Sequence, residues 1–353
     1  MTTVVTGAGS GIGRATAELL LDAGEAVVGV DVEPERLEWL DDRDRAVAVA
    51  GDVGTEEANA DMVTEAIWHS GRVVRARRGR PRRRRHHRER RPVPTTRPWR
   101  IMSALEGKTA FVAGGTSGIG LAVATAFTAA GARVTIAGRR PDGAGIARDA
   151  GCEFVALDVA DEASVVAALD RAEARLGAID VLVLNAGVAQ PPTSLQGLET
   201  EAARAVVDTN LLGVFWGLKH GPARMADGGS IILTSSISAV MGTPFEGLYG
   251  AAKAGVSALA RSAAIDLGHR GIRVNAVQPG PTWTPMNPMP ERLLEIMAPA
   301  GRKGRVEDLV GVYEFLASDA SRYVTGQAIT VDGGVTVGIS QALMGVLAAE
   351  MAA

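Results

Sequence analysis

Ser236, Tyr249 and Lys253 are the residues whose types and spacing in this chain most directly suggest chemistry; they fall in Ser236-ISAVMGTPFEGL-Tyr249-GAA-Lys253. Tyrosine and lysine four apart at the start of a helical stretch share one face and can bear on one substrate. A phenol with an ordinary pKa near 10 is a poor base at neutral pH, and a neighbouring ammonium favours its ionised form. Ser236, at the end of an adjacent strand pattern, can donate a hydrogen bond to a carbonyl or alkoxide oxygen. Together the three could move a proton to or from an oxygen. Taken alone, a Tyr-x-x-x-Lys pair is an ordinary feature of a helix surface, so its meaning depends on the elements around it.

Those elements repeat. Residues 4–13 read VVTGAGSGIG and residues 111–120 read FVAGGTSGIG; at a constant offset of 107, Gly7, Gly11, Gly13 and Gly24 fall on Gly114, Gly118, Gly120 and Gly131. Each copy reads as strand, glycine turn, helix, second strand and a third strand ending in Asp-Val, at 52–53 and 158–159. Apolar runs alternating with helical patterns predict a parallel sheet. The second copy continues through IDVLVLNAG (179–187), GSIILTSS (229–236), IRVNAVQPG (272–280) and QAITVDGG (327–334), and SQALMGVLAAEMAA reads as a closing helix. The expected fold is therefore α/β: a Rossmann-type, doubly wound, seven-stranded parallel sheet preceded by an incomplete βαβαβ repeat. The expected domains are 1–68, a fragment without catalytic motifs; 69–102, an Arg/Pro-rich linker; and 103–353, the complete domain.

A glycine turn between strand and helix lets a pyrophosphate approach the backbone and the helix N-terminus. The end of the second strand discriminates between dinucleotides. Asp31 in the first copy would accept bonds from a free ribose hydroxyl, whereas Gly138, Arg139 and Arg140 leave room for, and can pair with, a 2′-phosphate. NADP(H) is accordingly expected over NAD(H), the alternative being that the two arginines merely cap the strand in solvent.

With these motifs in order, residues 103–339 resemble the short-chain dehydrogenase/reductase family. AGGTSGIG stands for its TGxxxGIG fingerprint with Ala113 in place of threonine, and Leu184-Asn185-Ala186-Gly187 for its NNAG motif with leucine replacing the first asparagine. The resemblance implies Asn210, Ser236, Tyr249 and Lys253 as the catalytic set. Asn210 would hold a water leading from Lys253 to solvent. It implies cofactor binding by Gly114, Thr116, Ser117, Gly118, Ile119 and Gly120 of the turn, Arg139 and Arg140, Asp158 and Val159 beside adenine, and Asn185, Ala186 and Gly187. Tyr249, Lys253, Pro279, Gly280, Thr282 and Thr284 would complete the set, the last four beside the nicotinamide. It further implies hydride transfer between nicotinamide and a ketone or secondary alcohol, and a homotetramer. No metal is expected. Val188, Met241, Trp283, Met286, Met289, Leu293, Leu294 and Met297 suggest a medium-sized apolar substrate, with Trp283 equally readable as a packing residue.

Charge is placed unevenly. Residues 72–91, RVVRARRGRPRRRRHHRERR, hold twelve arginines in a chain of formal net charge -3. Segment 72–100 carries fourteen of the 37 Lys+Arg and one acid, Glu89, which leaves 23 basic against 39 acidic residues elsewhere. The run reads as a nucleic-acid arm, a solvated linker, or a GC-rich stretch translated out of frame at a junction between a truncated and an intact reductase. It lacks aromatics to stack on bases and the acidic remainder would repel DNA, so a nucleic-acid-associated or noncatalytic nucleotide-sensing protein is the second reading. The first copy has no counterpart of Ser236 and no Tyr-Lys pair, and three strands leave a sheet edge open. One cysteine, Cys152, no signal-peptide pattern and no membrane-length apolar run place the expected chain in the cytoplasm.

Overall fold

In the computed structural model, residues 2–69, 105–286 and 296–351 are described. The chain divides into two compact units, Met1–Pro94 and Thr95–Ala353. The arginine run lies outside the described residues, as does every residue of the expected 69–102 linker except His69.

The first unit contains β1 (Thr2–Thr6), α1 (Gly11–Asp22), β2 (Ala26–Asp31), a 3-10 segment (Pro34–Leu40), β3 (Ala46–Ala50) and α2 (Glu56–His69). Its strands form a parallel sheet in the order β1-β2-β3. β2 is the central strand, and its side chains alternate between two small cores. Val27 packs with Ala8, Ala17, Leu37 and Leu40 on one face. Val28 and Val30 pack with Val49, Met62 and Ala66 on the other. Leu19 of α1 remains 70% exposed, an apolar surface that this short sheet does not cover. Among the described residues of this unit β1 pairs with β2 alone, so one row of its backbone donors and acceptors is open, as three strands require.

The second unit comprises β4 (Thr109–Ala113), α3 (Gly118–Ala129), β5 (Arg133–Gly138), α4 (Gly143–Asp149), β6 (Glu153–Ala156), α5 (Glu162–Leu176) and β7 (Ile179–Leu184). It continues through α6 (Thr200–Val207), α7 (Gly213–His220), β8 (Met225–Thr234), α8 (Gly247–Leu267), β9 (Arg273–Pro279), α9 (Glu307–Ala317), β10 (Ala328–Val331) and α10 (Gln341–Met351). All seven strands are parallel, in the order β10-β9-β8-β7-β4-β5-β6.

Burial on both faces explains the near-continuous apolar strands. In β4, Ala110 and Val112 pack with Phe127 of α3 and Leu309 and Tyr313 of α9. Phe111 and Ala113 point the other way, into a layer with Leu169 of α5, Val214 of α7 and Val256 of α8. The strand order reverses between β4 and β7, because β5 and β6 run outward on one side and β8 to β10 on the other. Such a switch point opens a crevice beyond the carboxyl ends of the two strands, where open α/β sheets bind ligands. Between α6 and α7 a five-residue π turn, Asp208–Leu212, widens the helix and carries Asn210, an insertion of the kind found at functional sites. No helix among the described residues is long and apolar enough to cross a membrane.

Candidate active site

The crevice is a cavity of about 800 Å³, within the range of small-molecule and cofactor sites. Gly114, Thr116, Ser117, Gly118 and Ile119 line it, as do Gly138, Arg139 and Arg140. Gly114 has φ +77 and Gly118 φ +53, backbone that L side chains rarely adopt. A Cβ on Gly120 would lie 2.2 Å from the Gly114 carbonyl oxygen, so the third glycine is required for α3 to pack against the turn. The N-cap of α3, Ser117, makes no side-chain capping bond. The first amides of the helix, at the cavity wall, are therefore left for another acceptor, and the positive end of the helix favours an anion. These features fit the pyrophosphate of a dinucleotide.

Arg139 and Arg140 are not equivalent. Arg140 donates from Nε and Nη2 to both carboxylate oxygens of Asp142, at 2.8 and 2.6 Å. Arg139 has only a loose pairing, 3.9 Å from Asp158, and its guanidinium is the freer of the two. Asp158 accepts from the Ala160 amide and does not wall the cavity, whereas Leu157 and Val159 do. Gly120 likewise stands behind the wall, where its role is packing.

The cavity wall also holds Asn210, Ser236, Tyr249 and Lys253, brought together by the π turn, the end of β8 and α8. Lys253 is 3% exposed; its Nζ donates to the Thr234 carbonyl at 2.8 Å and lies 5.8 Å from the centre of the Tyr249 ring. Burial brings its pKa down to about 8. The Tyr249 hydroxyl moves the opposite way, up to about 12: burial dominates, a hydrogen bond with Ser236 opposes it, and the Glu246 carboxylate adds to it. Spacing alone predicts a lysine ammonium that lowers the tyrosine pKa; burial instead raises it, and the lysine is directed at a backbone carbonyl.

Asn210 is fully buried and clamps Val188, accepting from its amide at 3.1 Å and donating to its carbonyl at 2.9 Å. A Cβ on Gly187 would lie 2.7 Å from Asn210 Oδ1 and 3.5 Å from Lys253 Nζ, so glycine is what lets these two groups approach. Asn185 ties the glycine turn to the end of β8: its Nδ2 donates to the Gly114 carbonyl and its Oδ1 accepts from Thr234 Oγ1, which also bonds Tyr313. Leu184, in place of the family's first asparagine, is buried in the core beside Gly217, where a Cβ would lie 2.5 Å from it.

Several wall residues have no sequence signal. Ser236 Oγ donates to Ser238 Oγ, which donates to Glu246 Oε2 at 2.7 Å; Thr243, Pro192 and Gln190 also face the cavity. Of the apolar residues expected around the substrate, Met286 walls the cavity, and Val188, Met241 and Trp283 do not. The Trp283 ring instead lies 3.9 Å from Lys303 Nζ, and Met297 is half-buried. Met289, Leu293 and Leu294 fall outside the described residues. Pro279, Gly280, Thr282 and Thr284 reach the wall from the end of β9 and the segment that follows it, which is pinned by a hydrogen bond from the Gly280 amide to the Val331 carbonyl and a bridge between Thr282 and Gly304.

Comparison with known proteins bears on the same residues. The family model described as enoyl-(acyl carrier protein) reductase matches residues 113–336, and the one described as short chain dehydrogenase matches residues 1–74. The chain is 43% identical over 244 residues to cis-4-hydroxycyclohexanecarboxylate dehydrogenase of Sinomonas cyclohexanicum, covering 66% of this chain and 98% of that protein. It is 40% identical over 247 residues to the NADP-dependent (R)-specific alcohol dehydrogenase of Lentilactobacillus kefiri, with the same coverage. Among solved structures, a blue fluorescent protein from a metagenomic library, in complex with NADPH, superposes with a TM-score of 0.63 at 35% identity, over 66% of this chain and 99% of that one. Each of these three relatives is matched almost end to end by two thirds of this chain. On the fold, the switch-point cavity and these matches, the chain belongs to the short-chain dehydrogenase/reductase family.

Proposed function

We propose that the chain is an NADP(H)-dependent oxidoreductase acting between a ketone and a secondary alcohol. One observation carries this reading: Ser236, Tyr249 and Lys253 line the same cavity as an uncapped helix N-terminus flanked by arginines. When bound, a nicotinamide dinucleotide supplies or accepts the hydride. Tyr249 holds the proton exchanged with the substrate oxygen, and with a pKa of about 12 it is protonated at neutral pH and set to donate. Ser236 bonds the same oxygen. Lys253 anchors the ribose and, through a water beside Asn210, connects the site to solvent. Gly114 to Gly120, Arg139, Arg140 and the 279–284 segment hold the dinucleotide.

The polar wall formed by Ser238, Thr243 and Glu246 modifies the substrate expectation. Medium-sized, mainly apolar ketones remain the proposed class, and the Glu246 carboxylate disfavours an anionic substrate such as the one named for the Sinomonas relative. The test is NADPH and NADH oxidation by the full chain across neutral cyclic and aryl ketones and their carboxylate analogues. No turnover by folded protein on any of them sinks the oxidoreductase reading, and a preference for carboxylates sinks the substrate class.

The cofactor preference rests on a paired exchange visible within this one chain. In the first unit Asp31 accepts from the Gly9 amide at 3.0 Å, and a Cβ on Gly9 would lie 2.8 Å from that carboxylate. Bonds from the Glu33 and Gly9 amides hold the Asp31 carboxyl below its usual range. At the matching positions of the second unit stand Gly138 and Thr116, and a Cβ on Gly138 would lie 3.0 Å from Thr116 Oγ1. Aspartate needs glycine across from it; threonine needs glycine. Gly138→Asp alone is therefore expected to weaken both cofactors, whereas Thr116→Gly with Gly138→Asp shifts the NADH/NADPH ratio of kcat/KM at least tenfold toward NADH. A double variant that keeps the original ratio would show that these positions do not set the preference.

Exposed Phe215 on α7 and Ile265 on α8 support a homotetramer built through those helices, and light scattering of the full chain reads it directly. The cytoplasm is the proposed location.

A further inference from the structure

Gln190 belongs to no motif, yet its side chain holds the start of the helix that carries Tyr249. It is 7% exposed. Its Oε1 accepts from the amides of Leu248 and Tyr249, at 3.0 and 3.1 Å. Its Nε2 donates to the Phe245 carbonyl at 2.8 Å and to the Thr193 carbonyl at 3.5 Å.

These bonds supply what the helix lacks. α8 begins at Gly247, and its N-cap residue, Glu246, makes no capping bond, because its carboxylate accepts from Ser238 instead. Leu248 and Tyr249 are the second and third helical residues, whose amides an N-cap side chain ordinarily satisfies. Gln190 does so from a different segment. It also grips the residue before the cap: Phe245 has φ +66, left-handed backbone that a bulky side chain adopts only when its surroundings hold it there. The grip is itself anchored, since Val188, two residues earlier, is clamped at both its amide and carbonyl by Asn210.

We infer that Gln190 is a positioning residue, which sets the place of the Tyr249 phenol by capping its helix across the cavity and holding the Phe245 turn. This rests on Tyr249 being the proton donor, and the test separates the two.

The chain has three tyrosines, Tyr249, Tyr313 and Tyr323. Tyr313 is fully buried in the core and Tyr323 fully exposed, so 3-fluorotyrosine-labelled full-length protein gives a site signal, a packing control and a solvent control, with Tyr249→Phe assigning the first. In Gln190→Met the Tyr249 fluorine resonance is expected to shift or broaden while that of Tyr313 stays in place. In ketone reduction kcat falls at least tenfold with the KM for NADPH within twofold. Gln190→Glu keeps the acceptor for both helix amides but loses the donor to the Phe245 carbonyl, so its kcat and its Tyr249 resonance are both expected to fall between those of the wild type and Gln190→Met. An unchanged Tyr249 resonance in Gln190→Met, an equal shift of Tyr313, or a Glu variant as impaired as the Met variant overturns the inference. Should Gln190→Met not fold, the Glu variant decides alone on the same two readouts. The resonances need no turnover, so a chain inactive on every carbonyl would overturn the function while leaving the positioning test readable.

Discussion

Tyr249→Phe is expected to lower kcat for ketone reduction by about a thousandfold, within the 10²–10⁴ range that a positioned proton donor contributes, or about 4 kcal/mol of transition-state stabilisation. The substitution removes one oxygen and leaves the ring in place. Because the substitution leaves the glycine turn and the arginines that line the same cavity untouched, the Kd for NADPH should stay within about twofold. Folding should change little, since the hydroxyl lost is a neutral one: with its pKa pushed up to about 12 by burial, Tyr249 carries no charge at neutral pH in either the folded or the unfolded protein. Fluorescence titration with NADPH, thermal unfolding and steady-state rates measure the three effects separately. More than about a tenth of the wild-type kcat retained would remove Tyr249 from the proton path. Loss of NADPH binding together with activity would mean that the variant had disturbed the cavity rather than the chemistry.

What could be read beforehand was whatever is local or periodic. Gly114, Gly118 and Gly120 announce a turn because only glycine tolerates its dihedrals and close contacts, and strands buried on both faces show as unbroken apolar runs. The 107-residue offset made the two openings explicit, and the Asp31/Gly138 contrast followed from it. Features that depend on contacts between distant segments left no trace. Gln190 meets α8 across 58 residues, and nothing in AQPP marks a capping residue. The π turn at Asp208–Leu212 has no sequence period of its own. Apolar type alone leaves Trp283 readable as either substrate wall or packing residue; the fold turns it onto Lys303, keeps Met286 at the wall and brings Glu246 and Ser238 into the cavity. The direction of the tyrosine shift was missed for a related reason: charge spacing is legible along a helix, but the extent of burial that opposes it is set by the whole sheet.

Burial also sets the second large effect. Lys253→Met is expected to abolish measurable turnover, a loss of at least a hundredfold, and at the same time to raise the thermal stability of the protein at pH 7. The folded pKa of about 8 against an ordinary 10.5 means that burial disfavours the ammonium by about 3 kcal/mol. The sign follows from proton counting. Below pH 8 the lysine is charged in both the folded and unfolded states, and the folded state bears the whole penalty. Between pH 8 and 10.5 the unfolded chain binds the extra proton, so wild-type stability rises with pH across that window and levels off above it. Methionine carries no such penalty but gives up the bond to the Thr234 carbonyl, which costs about 1–3 kcal/mol when the acceptor is left unpaired. The balance at pH 7 is a gain of about 1 kcal/mol, or roughly 2–4 °C for a unit of this size, and it should shrink and then reverse as pH rises toward 10. Tyr249 is present in both proteins and titrates higher, so it cancels from the comparison. Differential scanning calorimetry of the two proteins from pH 6 to 10 tests the point: a variant destabilised equally at every pH would show that Lys253 is held as a structural donor and bears no desolvation penalty. A stabilised, inactive variant is what a charge kept in the core for catalysis predicts, with Lys253 opposing the fold that Tyr249 needs.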